Sequence, residues 1–144
     1  MLRIAAAIIV GFFAWLILWI ACEQILSAIF PAWFGAQQQA FQAALTDGGQ
    51  FTPQTSFLLT HIASAFCVSL LAGFLAALVA DENRRAPLIL GILLLALGLL
   101  KAALSWSLVP VWYHITFTAL LLPLAVLGSK LKTSGNAVLT KIEN

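Results

Sequence analysis

The chain has 144 residues, of which 62% are hydrophobic and 8% are charged, whereas a soluble domain is roughly half apolar and a quarter charged. A water-soluble fold of this size has too little interior to bury so much apolar side chain, so the composition excludes an ordinary soluble domain. The formal net charge is only +2, and the basic residues lie at the ends of apolar segments, so no nucleic-acid-binding surface is indicated.

The first apolar segment spans about 4–30 and exceeds the roughly 20 residues that a helix needs to cross a bilayer. It is too long for the apolar region of a signal peptide, and no small-residue cleavage site follows it, so we expect it to remain as a transmembrane helix. Residues 31–55 are interrupted by glycine and proline, and their apolar residues recur at helical spacing. This pattern predicts a short amphipathic helix on the membrane surface, although the segment contains no lysine or arginine.

Three further apolar segments cover about 57–80, 87–107 and 110–128, and a polar tail follows at 129–144. The sequence therefore predicts a single integral membrane domain, 1–144, that is all-α. We expect a four-transmembrane-helix bundle with a short extracytoplasmic interfacial helix between the first and second membrane helices.

The positions of the basic residues predict the orientation of this bundle, because cytoplasmic loops retain lysine and arginine. Six of the seven basic residues lie before the first segment, between the second and third, or after the fourth: Arg3, Arg84, Arg85, Lys130, Lys132 and Lys141. The prediction is a multi-pass protein of a prokaryotic cytoplasmic (inner) membrane with both termini in the cytoplasm.

Small residues predict where the helices pack, because helices in lipid associate through close backbone approach. The second segment carries a four-residue ladder, and the third carries two glycines on one face: Ala65, Ser69, Gly73 and Ala77, then Gly91 and Gly98. Successive ladder members drift by ~40° around a helix, so one neighbour is expected to contact only two or three of them.

Five polar residues inside the segments fall in the same outer half of the predicted bilayer: Glu23, Gln24, His61, Lys101 and His114. Ionisable groups at such depths cost at least a few kcal/mol each in lipid, so they are expected to face the protein interior. One interpretation is a polar pocket open to the outer leaflet, holding a lipid headgroup, a quinone or another small polar molecule. The other is structural: Glu23 and Lys101 form an ion pair, and each histidine donates to a neighbouring carbonyl or hydroxyl.

The sequence contains no phosphate-binding glycine loop, nucleophile elbow, Cys-x-x-Cys pair or metalloprotease helix, so a non-enzymatic role is favoured and no cofactor is predicted. The leading hypothesis is a small accessory or lipid-interacting component whose partners are the bilayer and a second copy or another membrane protein. One alternative is an oligomeric small-molecule transporter or channel subunit. Another is a redox protein that binds haem, quinone or a metal through His61 and His114.

Overall fold

The structure, a computed structural model, describes the backbone of residues 2–81 and 84–142 and the side chains of residues 2–81 and 84–132. The described part of the chain forms five α-helices: α1 (Leu2–Ile29), α2 (Ala36–Asp47), α3 (Thr55–Ala80), α4 (Arg85–Leu104) and α5 (Val111–Ile142). Four of them, all except α2, are long and apolar enough to cross a membrane. The predicted all-helical fold with four membrane-length helices is confirmed.

The helix ends differ from the predicted segment ends in two places. The predicted fourth segment stops at Gly128, but α5 continues as one helix to Ile142 and includes Pro123 in its interior. The predicted third segment reaches 107, but α4 ends at Leu104, where the Ser105 hydroxyl and amide both donate to the Lys101 carbonyl. Of the predicted tail, residues 143 and 144 and the side chain of Lys141 lie outside the described residues.

The chain leaves α1 through a π-helical turn over Pro31–Gly35. The carbonyl of Phe30 accepts hydrogen bonds from the amides of Trp33, Phe34 and Gly35 at 3.3, 2.9 and 3.1 Å. Proline has no amide hydrogen and suits the first position of such a turn. The turn leads directly into α2, which ends at Asp47 and is capped by Gly48 in the left-handed conformation with φ of 70°.

The four long helices pack in the spatial order α1, α3, α5, α4. Helix α3 makes the most extensive contacts, with α5 and with α1, and α4 packs mainly on α5. The contact between α1 and α4 is much smaller. The seam between α1 and α4 is therefore the least tightly packed side of the bundle.

The closest helix approach is a crossing of α3 and α5 at two glycines. Gly73 of α3 lies against the backbone of Ala125, and Gly128 of α5 lies against the backbone of Leu70. Each contacted residue is three positions before the glycine on its own helix. A β-carbon at either glycine would overlap the facing carbonyl group. Such reciprocal contacts are typical of membrane helices, whose small residues permit backbone contact and weak Cα–H···O hydrogen bonds.

Side-chain hydrogen bonds join α3 to both of its main neighbours, α1 and α5. The indole of Trp15 on α1 donates to the hydroxyl of Ser69 on α3 at 3.0 Å in a buried position. At the end of the bundle opposite α2, Lys132 forms a 2.6 Å ion pair with Asp81 and also donates to the Ala77 carbonyl at 3.4 Å. The hydrogen bond and the positive charge of Lys132 lower the pKa of Asp81.

The small residues of α3 contact different neighbours as the ladder winds around the helix. Ser69 faces α1, whereas Gly73 faces α5. Ala65 and Ala77 are fully buried. On α4, Gly91 lies against the backbone of Leu122 and Gly98 against the side chain of Leu121, both on α5.

Candidate functional site

A cavity of about 490 Å³ lies at the seam between α1 and α4. It has the size of a small-molecule site, for which ~300–1,000 Å³ is usual. Helices α1 and α4 run in the same direction and end on the same side of the bundle as α2. Helix α2 covers that end of the cavity with side chains at helical spacing: Gln38, Phe41, Gln42 and Leu45. Most of the remaining wall is apolar or aromatic, and the two charged residues that line the cavity are Glu23 and Lys101.

Lys101 lies in the last turn of α4 and reaches into the cavity between two aromatic rings. Its Nζ atom is 4.5 Å from the centroid of Phe117 and 4.9 Å from that of Trp19. Aromatic faces attract a cation, more strongly where water is excluded, so these rings hold the ammonium group in place. The predicted ion pair with Glu23 is not present as a direct contact: the two side chains line one cavity and attract each other, but no Lys101–Glu23 nitrogen–oxygen pair falls within 4 Å.

Glu23 lies in the last third of α1, and its side chain is 20% exposed. Gln38 of α2 donates through Nε2 to one carboxylate oxygen at 3.3 Å. The other carboxylate oxygen is 3.8 Å from Nδ1 of His61. The Trp19 indole, one turn earlier on α1, also donates to this carboxylate. Glu23 is therefore held by hydrogen bonds from α1 and α2, lies beside His61 of α3, and also lines the cavity.

His61 lies behind Glu23 within a cluster of aromatic rings and does not line the cavity. Its ring centroid is 4.5 Å from Phe57, 5.3 Å from Phe34 and 5.6 Å from Trp19. Both ring nitrogens are buried without a hydrogen-bond partner, and the Glu23 contact at 3.8 Å is too long for a hydrogen bond. The imidazole therefore serves as a polar ring packed against aromatic neighbours, next to the carboxylate.

The other two residues of the predicted polar layer lie elsewhere. His114 stacks on Trp106 with a centroid distance of 5.3 Å and hydrogen-bonds to the backbone of the turn between α4 and α5. It is not part of the cavity wall. Gln24 is exposed on the outside of α1 and does not line the cavity either. The structure thus brings Glu23 and Lys101 to one cavity with His61 behind them, and separates His114 and Gln24 from it.

Several cavity residues were not among the predicted site residues, above all Gln38, Gln42, Trp19 and Phe117. The signal for the α2 contribution is present in the sequence, because positions 38, 41, 42 and 45 follow the i, i+3, i+4, i+7 pattern of one helix face. No comparable signal exists for Trp19 and Phe117, since aromatic residues on membrane helices face lipid as readily as protein.

Potential metal ligands do not cluster in the described part of the chain. Within residues 2–81 and 84–132, no group of three or more His, Cys, Asp or Glu side chains comes together in a way that could hold a metal ion. The cavity offers instead an ammonium group, a carboxylate, two side-chain amides and the Ser105 hydroxyl on an otherwise largely apolar wall. Such a set suits an amphiphilic organic molecule, with its polar part near the α2 end.

No protein-family model matches this chain, and neither a curated protein nor a solved structure does. Evidence for function therefore comes from the cavity and the residues that line it.

Proposed function

We propose that this chain is a non-enzymatic, multi-pass membrane protein that binds one membrane lipid in the α1–α4 cavity. The observation that carries the proposal is the position of Glu23 and Lys101 in an otherwise mostly apolar cavity at the least packed seam of the bundle. The headgroup of the lipid would contact these two side chains, and its acyl chains would follow the apolar wall.

The outer surface around the cavity supports entry from the bilayer. Leu100 and Leu104 line the cavity on α4, yet they are 56% and 71% exposed. On a helix that crosses a membrane, exposed leucines face hydrocarbon. A molecule that enters between α1 and α4 therefore comes from the lipid phase, and one with a polar head and an apolar tail satisfies both the charged and the leucine-rich parts of the wall.

The distribution of basic residues supports a cavity in the outer leaflet of a prokaryotic cytoplasmic membrane. Arg3, Arg84, Arg85, Lys130 and Lys132 belong to the end of the bundle opposite α2, and lysine and arginine are retained on the cytoplasmic side. With both termini in the cytoplasm, α2 lies at the extracytoplasmic surface. Its apolar residues Phe41 and Ala44 are buried against the protein, as expected for an interfacial helix that covers a binding site.

The proposal is tested by native mass spectrometry of the protein released from nanodiscs of bacterial lipid. The wild-type chain should retain one lipid per copy. Leu104→Trp places a large ring at the mouth of the cavity and should remove most of the bound lipid. Leu99→Trp is the matched control, because Leu99 is on the same helix, is 58% exposed and does not line the cavity.

Equal lipid retention by wild-type protein, Leu104→Trp and Leu99→Trp would contradict the proposal, as would a wild-type protein that carries no lipid. The same spectra report the number of copies in the assembly. They therefore also test the predicted homo-oligomer.

A further inference from the structure

We infer that the bound lipid has a zwitterionic headgroup, with its phosphate at Lys101 and a primary ammonium group at Glu23. This inference rests on the proposed lipid-binding function and adds the chemical class of the ligand. It starts from the charge balance of the cavity, whose lining residues include one cation and one carboxylate.

The two charged side chains face one cavity without a direct ion pair between them. Lys101 Nζ contacts aromatic rings, and Glu23 contacts the neutral amide of Gln38, the indole of Trp19 and the imidazole of His61. Each charge is therefore short of an ionic partner, and burial makes an uncompensated charge costly. A ligand that carries both an anion and a cation can pair with both side chains at once.

A purely anionic headgroup would satisfy only half of this arrangement. Its phosphate would pair with Lys101 but would also lie in the same low-dielectric cavity as the Glu23 carboxylate, where like charges repel strongly. Discrimination against one ligand by such a repulsive group is a common source of binding specificity. The carboxylate of Glu23 therefore favours a zwitterionic lipid over an anionic one.

The aromatic rings and the carboxylate together favour a primary ammonium over a quaternary one. A quaternary ammonium donates no hydrogen bond and is usually bound by a cage of aromatic rings. In this cavity the faces of Trp19 and Phe117 are already in contact with Lys101 Nζ. A primary ammonium has three N–H donors. The Glu23 carboxylate accepts hydrogen bonds from Gln38 and from the Trp19 indole, and its two oxygens retain further lone pairs for an ammonium group in the cavity.

The inference is tested in nanodiscs that contain equal amounts of phosphatidylethanolamine, phosphatidylglycerol and phosphatidylcholine, with the retained lipid identified by mass. Wild-type protein should retain the ethanolamine lipid about tenfold over each of the other two, the ratio that one favourable charge contact of about 1.4 kcal/mol provides. Glu23→Gln keeps the shape and the hydrogen-bond acceptor of this side chain but removes its charge. This variant should still bind lipid and should lose the preference over phosphatidylglycerol.

Two further variants complete the test. Lys101→Gln should lower the retention of all three phospholipids, because each carries a phosphate. Gln24→Ala changes the residue next to Glu23 but lies outside the cavity, so its lipid preference should equal that of the wild type.

The possible failures are distinguishable. If Leu104→Trp retains as much lipid as the wild-type protein, lipid binding does not depend on an open cavity and the proposed function itself is wrong. If a lipid is retained in the cavity but phosphatidylglycerol or phosphatidylcholine is bound as well as phosphatidylethanolamine, or if Glu23→Gln leaves the preference unchanged, only the zwitterionic assignment is overturned. The preference of the wild-type protein decides this inference even if a variant fails to fold.

Discussion

The crossing of α3 and α5 predicts a strong effect for the smallest possible change, Gly73→Ala. An alanine β-carbon at this position would lie 2.6 Å from the carbonyl carbon and 2.8 Å from Cα of Ala125, and closer still to the carbonyl oxygen. Backbone atoms cannot rotate away as a side chain can, so α3 and α5 would have to separate by roughly 1.5 Å to restore ordinary contact distances.

The expected size of the effect follows from two opposing contributions. Overpacking of this kind costs about 3 kcal/mol, the upper end of the usual range, because both contacting groups are backbone. Alanine is about 1 kcal/mol more favourable than glycine inside a helix. The free energy of unfolding should therefore fall by about 2 kcal/mol.

The assay is equilibrium unfolding in mixed detergent micelles, followed by far-ultraviolet circular dichroism. Gly49→Ala is the control, because its β-carbon would meet only the Cα of Ala44 at an ordinary 3.8 Å. The control should unfold within about 0.5 kcal/mol of the wild type. A Gly73→Ala protein as stable as the wild type, or more stable, would refute the reasoning, since helix propensity would then outweigh the contact.

Three other substitutions have expected outcomes that the same protein preparation can test. Trp15→Phe should lower the free energy of unfolding by about 1 kcal/mol, because it removes the buried hydrogen bond to Ser69; an unchanged unfolding midpoint would contradict this. Gly48→Ala should lower the free energy of unfolding by about 1 kcal/mol, because alanine is strained at the φ of 70° that Gly48 adopts. The added methyl group meets no other atom within 4 Å, so backbone strain is the whole effect. A variant as stable as the wild type would contradict this. Asp81→Asn should weaken the acid sensitivity of the melting temperature, because Lys132 lowers the pKa of Asp81 below its ordinary 3.8. The stabilisation of the fold by the Asp81–Lys132 pair is therefore present above pH 3.8 and is lost as the pH falls through the lowered pKa. If Asp81→Asn and the wild type lose the same amount of melting temperature on acidification, the Asp81–Lys132 pair contributes nothing to the acid sensitivity.

The sequence was sufficient to predict the number and type of the long helices, because bilayer thickness sets the length of a spanning helix and few other structures satisfy the backbone in lipid. It was less informative about helix ends. Gly128 looked like the end of a helix, yet the residue continues α5 and serves as a packing site against Leu70. Hydropathy indicates where the chain leaves the apolar phase, whereas helix continuity depends on backbone hydrogen bonds, which polar residues also form.

The sequence predicted how deep the site residues lie in the bilayer, but it did not predict in which direction around each helix their side chains point. Glu23 and Gln24 have nearly the same depth, but neighbouring residues point about 100° apart around a helix, and only Glu23 lines the cavity. His114 is close to Lys101 in depth, yet it packs against the turn that follows α4. The surroundings of each side chain depend on which helices are neighbours. That arrangement is set by contacts between helices, such as Gly73 with Ala125, which cannot be predicted from residue spacing within one helix.

The glycine crossing also constrains the order in which the bundle assembles during synthesis. The helices leave the ribosome in chain order, so α3 and α4 are made before α5, the helix against which both make extensive contacts. Until α5 is inserted, α1 with α3 is the one extensive pair available, and the glycine surface of α3 faces lipid. Release of a chain that stops after α4 would therefore leave an incompletely packed intermediate with its closest helix contact unmade.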